Sequence, residues 1–286
     1  MILKKEIEEI SAQKGVAKST IDKDWVLGHF IDAVFSISDC RNDLVFKGGT
    51  YLKKCRHPDY RFSEDLDFTS LNPEFDFSKT LLNKIVKLVT SRTDIPLYIK
   101  ELKELQFNDK RTGFTAVIKF WGADHPKNQP PPPPTRWTTS IKIEIILYEK
   151  IYFKIENRRV IHDYSDSLSK EADSIPCYSI NEVLAEKLRA LIQRSYTAPR
   201  DLYDIWYLAN NTEELNWNEI VKAFYYKLKI KELKFTSIDQ MLNPENDKRL
   251  KAAWQNSLAY QIKPEYLSEY ELVRDDLKEL LIKIFN

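Results

Sequence analysis

The sequence predicts an α+β fold, in which a part that combines strands and helices precedes a mainly helical C-terminal part. Two observations predict it. Up to about residue 148, short segments typical of strands occur among helical segments, and from residue 179 onward apolar residues recur at helical spacing. We place the boundary near residue 175, which gives one predicted domain over residues 1–175 and a second over residues 176–286.

The N-terminal part contains a helix that leads into a strand and a turn. Ser19 and Asp22 resemble a helix N-terminus, and the spacing of the apolar residues that follow predicts a helix over about residues 20–37. Residues 43–47 form a short apolar run that stops at the adjacent glycines Gly48 and Gly49. Helical spacing resumes after them. This segment therefore predicts a strand, a turn and a helix in succession.

Two later segments alternate between polar and apolar residues. In DLDFT, Asp65 and Asp67 fall on one face of a strand, because side chains alternate across a strand with period two. SIKIEIILY (residues 140–148) is the clearest strand, and Ile141, Ile143 and Ile145 share the face opposite Lys142 and Glu144. We also predict a helix over residues 78–92 and strands over residues 98–106 and 112–121.

Residues 128–135 include five consecutive prolines, which favour extended polyproline II backbone and exclude sheet pairing. The segment is predicted to be a stiff connection between two strands. A ligand for an SH3-type domain is the less favoured alternative.

The C-terminal part begins with a predicted capping box, in which Ser179 and Glu182 lie three residues apart before a helix. Pro199 suits the first turn of the next helix, which continues through residue 209. Amphipathic segments at residues 217–228, 247–260 and 270–284 predict three further helices.

The composition excludes several classes of protein. With 44 basic and 43 acidic residues, the formal charge of the 286-residue chain is +1, so no global basic field indicates a nucleic-acid partner. Its three scattered cysteines do not form a disulfide framework or a zinc pattern, and they fit a reducing compartment. We find neither a signal peptide nor a membrane span. Cytoplasmic localisation and no membrane partner are therefore predicted.

The acidic pair and the glycine pair together indicate metal-assisted phosphate chemistry. Asp65 and Asp67 present two carboxylates on one strand face, and Glu144 is the best candidate for a third from a neighbouring strand. Carboxylate oxygens hold Mg²⁺, which nucleotidyl transfer requires to neutralise a triphosphate. The Gly48-Gly49 turn lets backbone amides approach phosphate oxygens at the start of a helix.

The amino-acid sequences of these segments closely resemble those of the AbiEii-type nucleotidyltransferase toxins, a branch of the polymerase-β-like nucleotidyltransferase superfamily. LVFKGGTYLKK (residues 44–54) and RFSEDLDF (residues 61–68) are similar to the family's Gly-Gly-Thr/Ser turn and Asp-x-Asp pair. DKDWVL (residues 22–27), EVLAEKLRALIQR (residues 182–194) and PRDLYDIWYLA (residues 199–209) match further blocks. The resemblance implies a mixed sheet flanked by helices.

The resemblance also implies a set of functional residues. It implies that Asp65 and Asp67 bind Mg²⁺ or Mn²⁺, joined in our prediction by Glu144, and that Lys187 with Asp201 or Asp204 completes the catalytic groups. Which aspartate reaches the site and which one pairs with a nearby arginine stays open. The residues predicted to bind the nucleotide are Lys47, Gly48, Gly49, Thr50, Arg61, Ser63 and Arg194.

Several of these residues have a plainer interpretation. Lys187 and Arg194 are seven apart and share a helix face, which could be a solvated basic face. Glu144 could be an exposed partner of Lys142, and Arg61 could form a salt bridge instead of binding nucleotide.

Two other features have ordinary interpretations as well. The four histidines, at positions 29, 57, 125 and 162, are dispersed, which indicates structural or surface roles rather than a zinc site. The basic segment YYKLKIKELK (residues 225–234) is either a solvated face or an RNA contact.

The function predicted first is transfer of a nucleoside monophosphate from an NTP to an acceptor hydroxyl. The resemblance implies a toxin of a toxin–antitoxin, abortive-infection or phage-defence system, with a cognate antitoxin and with the 3′ end of tRNA or another RNA as acceptor. A small-molecule acceptor of the aminoglycoside type is the second hypothesis. A third is a module that binds nucleotide or antitoxin without turnover.

Overall fold

The computed structural model describes residues 2–125, 129–193, 198–213 and 215–285. The chain forms two compact units, of which the first comprises Met1–Glu149 with Ile155–Cys177 and the second comprises Lys150–Lys154 with Tyr178–Asn286. The predicted domains of residues 1–175 and 176–286 stay a prediction. None of the helices in the described ranges combines the length and apolar character that crossing a bilayer requires.

In the described ranges, the first unit contains a mixed seven-stranded sheet and five α-helices. Its strands are β1 (Leu44–Lys47), β2 (Asp65–Ser70), β3 (Leu97–Phe107), β4 (Lys110–Phe120), β5 (Ser140–Ile146), β6 (Glu156–Arg158) and β7 (Ile175–Cys177). Its helices are α1 (Lys4–Lys14), α2 (Lys18–Phe35), α3 (Ser38–Asp43), α4 (Gly48–Cys55) and α5 (Lys79–Thr93). The strand order is β3-β4-β5-β2-β1-β7-β6. Strands β2 and β5 pair in parallel, as do β1 and β7, and the other pairs are antiparallel.

Helix α2 is the most buried helix of this unit, and it packs against α5. The six apolar residues that predict it are all within 1% of complete burial, namely Ile21, Trp25, Phe30, Ile31, Val34 and Phe35. Burial of a side chain such as Phe or Ile contributes about 1.5–3 kcal/mol, so this face anchors α2. The predicted helix over residues 20–37 is confirmed with slightly earlier bounds.

The proline-rich connection lies between β4 and β5, as predicted. Its carbonyl groups are tied to the neighbouring structure: Trp137 Nε1 donates to Pro132 O at 2.8 Å, and Lys119 Nζ donates to Pro134 O and Thr135 O at 3.1 and 3.2 Å. Use of these carbonyls within the chain favours the stiff connection over an SH3 ligand.

Among its described residues, the second unit has five α-helices, and it also includes the extended segment Lys150–Lys154. They are α6 (Ile180–Gln193), α7 (Pro199–Asn211), α8 (Trp217–Ile230), α9 (Pro244–Leu258) and α10 (Tyr270–Phe285). Helix α6 packs on α7 and α8, and α7 packs on α9 and α10. The mainly helical C-terminal part is confirmed.

The predicted capping box is only half present. Glu182 N–H donates to Ser179 Oγ at 3.2 Å, which is the expected cap. The Glu182 carboxylate, however, does not return to the cap. It accepts the backbone N–H groups of Tyr152 and Phe153 at 2.9 and 2.8 Å, and it pairs with Lys227 at 2.6 Å. A buried carboxylate needs a cationic partner more than a helix terminus needs a second cap.

Candidate active site

The predicted acidic pair lies on strand β2. Leu66 and Phe68 are completely buried, whereas Asp65 and Asp67 are half-buried. The alternation therefore turns the apolar side chains into the core and leaves both carboxylates on the opposite face, as the sequence predicted.

Strand register places Glu144 beside this pair. In the parallel pairing of β2 with β5, Asp67 lies opposite Glu144 and Asp65 lies opposite Lys142. In the antiparallel pairing of β1 with β2, Lys47 lies opposite Asp67. Neighbouring strands are about 4.8 Å apart, so Lys47, Asp67 and Glu144 form a short row across three strands.

Lys142 lies among the three carboxylates. Its ammonium is 2.6 Å from Glu144 Oε2. The pKa of Lys142 is raised because it donates a hydrogen bond to Glu144, and the charges of Asp65 and Asp67 add to the effect. The Lys142 ammonium therefore interacts electrostatically with all three carboxylates. The predicted pairing of Glu144 with Lys142 is present, so Glu144 as a metal ligand stays a prediction.

The first glycine of the turn is required by the acidic pair. Gly48 has a φ of 82°, in the left-handed region that disfavours side chains. A Cβ atom at this position would lie 2.2 Å from Asp67 Oδ2. Glycine therefore allows the backbone to pass directly against the Asp67 carboxylate.

Helix α4 begins at this turn. Lys47 precedes the helix and provides no side-chain cap for its amides. Backbone N–H groups at a helix N-terminus bind phosphate. Thr50 Oγ1 donates to the carbonyl oxygen of Asp65 at 2.5 Å, which fixes the helix to β2.

The second glycine brings the backbone close to two polar residues. A Cβ atom at position 49 would lie 2.8 Å from Ser63 Oγ and 3.1 Å from Arg61 Nη2. Arg61 is 5% exposed, and its guanidinium lies 5.4 Å from the Tyr60 ring centroid. Six predicted nucleotide-binding residues therefore cluster within the first unit: Lys47, Gly48, Gly49, Thr50, Arg61 and Ser63.

The predicted groups of the second unit form their own cluster. Lys187 Nζ lies 2.5 Å from Asp204 Oδ2 and 3.7 Å from Asp201 Oδ1. Leu184, Leu188 and Leu191 are buried on the other side of α6, as the helical spacing predicted. Both aspartates thus face the same lysine. Arg194, predicted to bind nucleotide, lies outside the described residues.

We call Asp65, Asp67 and Glu144 the acidic row. Their ligand atoms are of the kind that a hard divalent cation binds. Asp65, Asp67 and Glu144 offer only carboxylate oxygens, which Mg²⁺ and Mn²⁺ prefer. The space beside the Asp67 carboxylate is kept clear because residue 48 is glycine; the Cβ atom of any other residue would occupy it. Metal binding by Asp65, Asp67 and Glu144 stays a prediction.

A second polar cluster brings together two histidines that are far apart in the sequence. His29 Nε2 lies 3.1 Å from Asp166 Oδ2, and His162 Nε2 lies 2.8 Å from Asp166 Oδ1. Trp25 Nε1 also donates to Asp166. These three candidate ligand atoms lie within 4.8 Å of one another. Two of the four histidines, dispersed in the sequence, are therefore neighbours in the fold.

Hydrogen bonding explains this histidine cluster better than a metal does. A metal on both Nε2 atoms would move the ring protons to Nδ1, yet both Nδ1 atoms are buried without a hydrogen-bond partner in the described part of the chain. With the protons on Nε2, both rings donate to Asp166. Burial raises the pKa of Asp166, but hydrogen bonds from His162 and His29 outweigh it and hold the pKa below its ordinary value. The structural role predicted for these histidines is the better interpretation.

Sequence reasoning missed one neighbour of the acidic row. Thr115 on β4 lies opposite Glu144, and its hydroxyl is buried without a hydrogen-bond partner among the described residues. The alternation of Thr115 with the buried residues Phe114 and Ala116 was the available signal.

A mixed sheet with an acidic row, next to a glycine turn at which a helix begins, is typical of a nucleotidyltransferase. The family comparison agrees. The model of the nucleotidyl transferase AbiEii toxin, of type IV toxin–antitoxin systems, matches residues 29–270, so the chain belongs to this family. Membership makes it a nucleotidyltransferase toxin and implies a cognate antitoxin.

Solved structures share the fold. MenT4, a nucleotidyltransferase toxin of Mycobacterium tuberculosis H37Rv, superposes with a TM-score of 0.66 at 15% identity, covering 100% of this chain and 90% of MenT4. JHP933 of Helicobacter pylori superposes with a TM-score of 0.55 at 16% identity, covering 94% and 93% of the two chains. A comparison with curated protein sequences finds no match.

Proposed function

We propose that this toxin is a divalent-metal-dependent enzyme that transfers a nucleoside monophosphate from an NTP to the 3′ hydroxyl of an RNA, with tRNA as the leading acceptor. We place it in the cytoplasm, as the toxin of an abortive-infection or phage-defence system. The observation that carries the proposal is the register of β2 and β5, which sets Glu144 beside Asp67, the carboxylate that lies against Gly48.

Each group has a role that follows from its chemistry. Asp65, Asp67 and Glu144 would hold Mg²⁺ or Mn²⁺, and the bound ion supplies charge neutralisation at the triphosphate and activation of the acceptor hydroxyl. The α4 amides and the Thr50 region would orient the phosphates, with Arg61 and Ser63 beside them. Positioning of the two reactants accounts for much of the rate enhancement in such reactions.

The proposal also assigns roles to the charged side chains of residues 187, 194, 201 and 204. Lys187 is held by Asp204 and Asp201, so its ammonium is fixed rather than free to rotate. We propose that Lys187 and Arg194 provide positive charge for the triphosphate, on the basis of the resemblance of their helix. The aspartates would then orient Lys187.

The test measures nucleotide transfer directly. Purified wild type and Asp67→Asn are incubated with each labelled NTP, total RNA and an aminoglycoside mixture, with Mg²⁺ or with EDTA. We expect label on RNA that EDTA abolishes, and a loss of at least about 100-fold in the variant, because one ligand of the metal is weakened. The matched control is Asp76→Asn, an exposed aspartate of the same unit.

The outcomes separate the parts of the proposal. Equal labelling by wild type and Asp67→Asn would remove Asp67 from the mechanism. Label confined to the aminoglycosides would exclude RNA as the acceptor and support a small-molecule substrate. Full activity in EDTA would exclude the metal.

A further inference from the structure

The second unit presents two lysine–tyrosine–lysine patterns on its surface. The first is in the extended segment Lys150–Lys154, where exposure alternates: Lys150, Tyr152 and Lys154 are exposed, whereas the residues between them are half-buried. Side chains two apart in an extended chain point the same way. This segment therefore presents a tyrosine between two lysines.

The second pattern is on helix α8. Lys222, Tyr226 and Lys229 are exposed and lie at positions i, i+4 and i+7, which share one helix face. The two tyrosines meet: their ring centroids are 5.5 Å apart, and they are 39% and 41% exposed. We call these six residues the tyrosine stripe: Lys150, Tyr152, Lys154, Lys222, Tyr226 and Lys229.

A buried polar clamp holds the extended segment along α8. Glu182 accepts the N–H groups of Tyr152 and Phe153, and Lys227 Nζ donates to the carbonyl of Lys150 at 2.9 Å. Glu182 and Lys227 pair at 2.6 Å, with side-chain exposures of 0% and 1%. The backbone under Tyr152 is thus fixed, so the ring loses little freedom when it contacts a partner.

The charges of the stripe favour a polyanion. Lys222 is paired with Glu219 at 2.7 Å, and Tyr152 also contacts Glu219. Lys150, Lys154 and Lys229 make no ion pair within the part of the chain that the structure describes. Three uncompensated lysines around two open rings leave a net positive surface. Protein interfaces are depleted in lysine, whereas basic grooves with interleaved aromatic rings are typical of single-stranded nucleic-acid sites.

We propose that the tyrosine stripe binds single-stranded RNA, with bases stacked on Tyr152 and Tyr226 and phosphates beside the lysines. The proposal deepens the function given above and rests on RNA being the acceptor. Stacking on an aromatic ring tolerates any base, so the stripe would hold a strand without reading its sequence.

The test measures binding apart from catalysis. Asp67→Asn protein is titrated into a fluorescein-labelled single-stranded RNA, and anisotropy is followed at several salt concentrations. Tyr152→Ala/Tyr226→Ala should weaken binding by at least about 30-fold, because each stacked base contributes about 1–3 kcal/mol and two rings are removed. Tyr152→Phe/Tyr226→Phe should retain binding, because the rings remain. Tyr260→Ala/Tyr266→Ala is the matched control, since both tyrosines are about 70% exposed in the same unit.

Lysine variants test the electrostatic part. Lys150→Gln/Lys154→Gln/Lys229→Gln should lower the slope of log K against log salt by about 0.7 for each lost phosphate contact. In active protein, the alanine pair should raise KM for RNA and leave KM for NTP unchanged.

Two results would overturn the stripe: no RNA binding by the parent protein, or equal binding by the alanine pair and the control pair. If the chain binds RNA through the stripe but transfers nothing to it, the stripe stands and the proposed function fails.

Discussion

Replacement of Gly48 by alanine tests the link between the glycine turn and the acidic pair. The new Cβ would lie 2.2 Å from Asp67 Oδ2, whereas ordinary contacts begin near 3.4 Å. The carboxylate must therefore withdraw by about 1.2 Å. A displacement of about 1 Å at a reacting centre lowers rates by about 100-fold. We expect a loss of that size in nucleotide transfer.

The same substitution also strains the backbone, and this effect has to be separated. Alanine at a φ of 82° costs about 1–2 kcal/mol of stability. Gly15 offers a matched control, because it has a φ of 65° and ends helix α1. Gly15→Ala should lose a similar amount of stability and keep the wild-type rate.

The assay for this pair combines initial rates of label transfer at saturating NTP with urea denaturation of each variant. The reasoning would be refuted if Gly48→Ala transferred nucleotide within about threefold of Gly15→Ala at equal stability. Asp67 would then tolerate displacement, and its carboxylate would not be held in position by the turn.

Two predictions concern helix α2. Lys54→Met should lower the free energy of unfolding by about 3–5 kcal/mol in urea, because it leaves Asp24 buried without its partner at 2.8 Å; an unchanged midpoint would contradict this. Burial raises the pKa of Asp22 to about 7, so the folded protein keeps a proton that the unfolded chain releases. Stability from this group is full below about pH 4 and is lost as the pH rises towards 7. Over that pH range, the free energy of unfolding of Asp22→Asn should rise relative to that of wild type, by about 4 kcal/mol at most. If the two proteins lose stability in parallel as the pH rises, Asp22 is not the titrating group.

The fold was predictable wherever local periodicity decides it. Alternation in DLDFT and in residues 140–146 predicts which side chains face the core, and the structure agrees at the apolar positions of both strands; Thr69, on the face of the two carboxylates, is nevertheless completely buried. The parallel register that sets Asp67 beside Glu144 was not predictable in the same way. It depends on which strands become neighbours, and β2 and β5 are separated by two other strands in the sequence.

Local sequence patterns do not predict which groups pair with a buried charged residue. Glu182 was expected to close a capping box three residues from Ser179, but it is held by Lys227 and by the N–H groups of residues 152 and 153. Complete burial decides this outcome, because a carboxylate removed from water needs several donors and a cation. A capping box supplies only one backbone donor. The same reasoning applies to Asp166, which accepts three ring N–H donors, two of them from helix α2, more than 130 residues earlier in the sequence. Sequence periodicity thus predicts which face a charged residue occupies, whereas the depth of burial selects its partners.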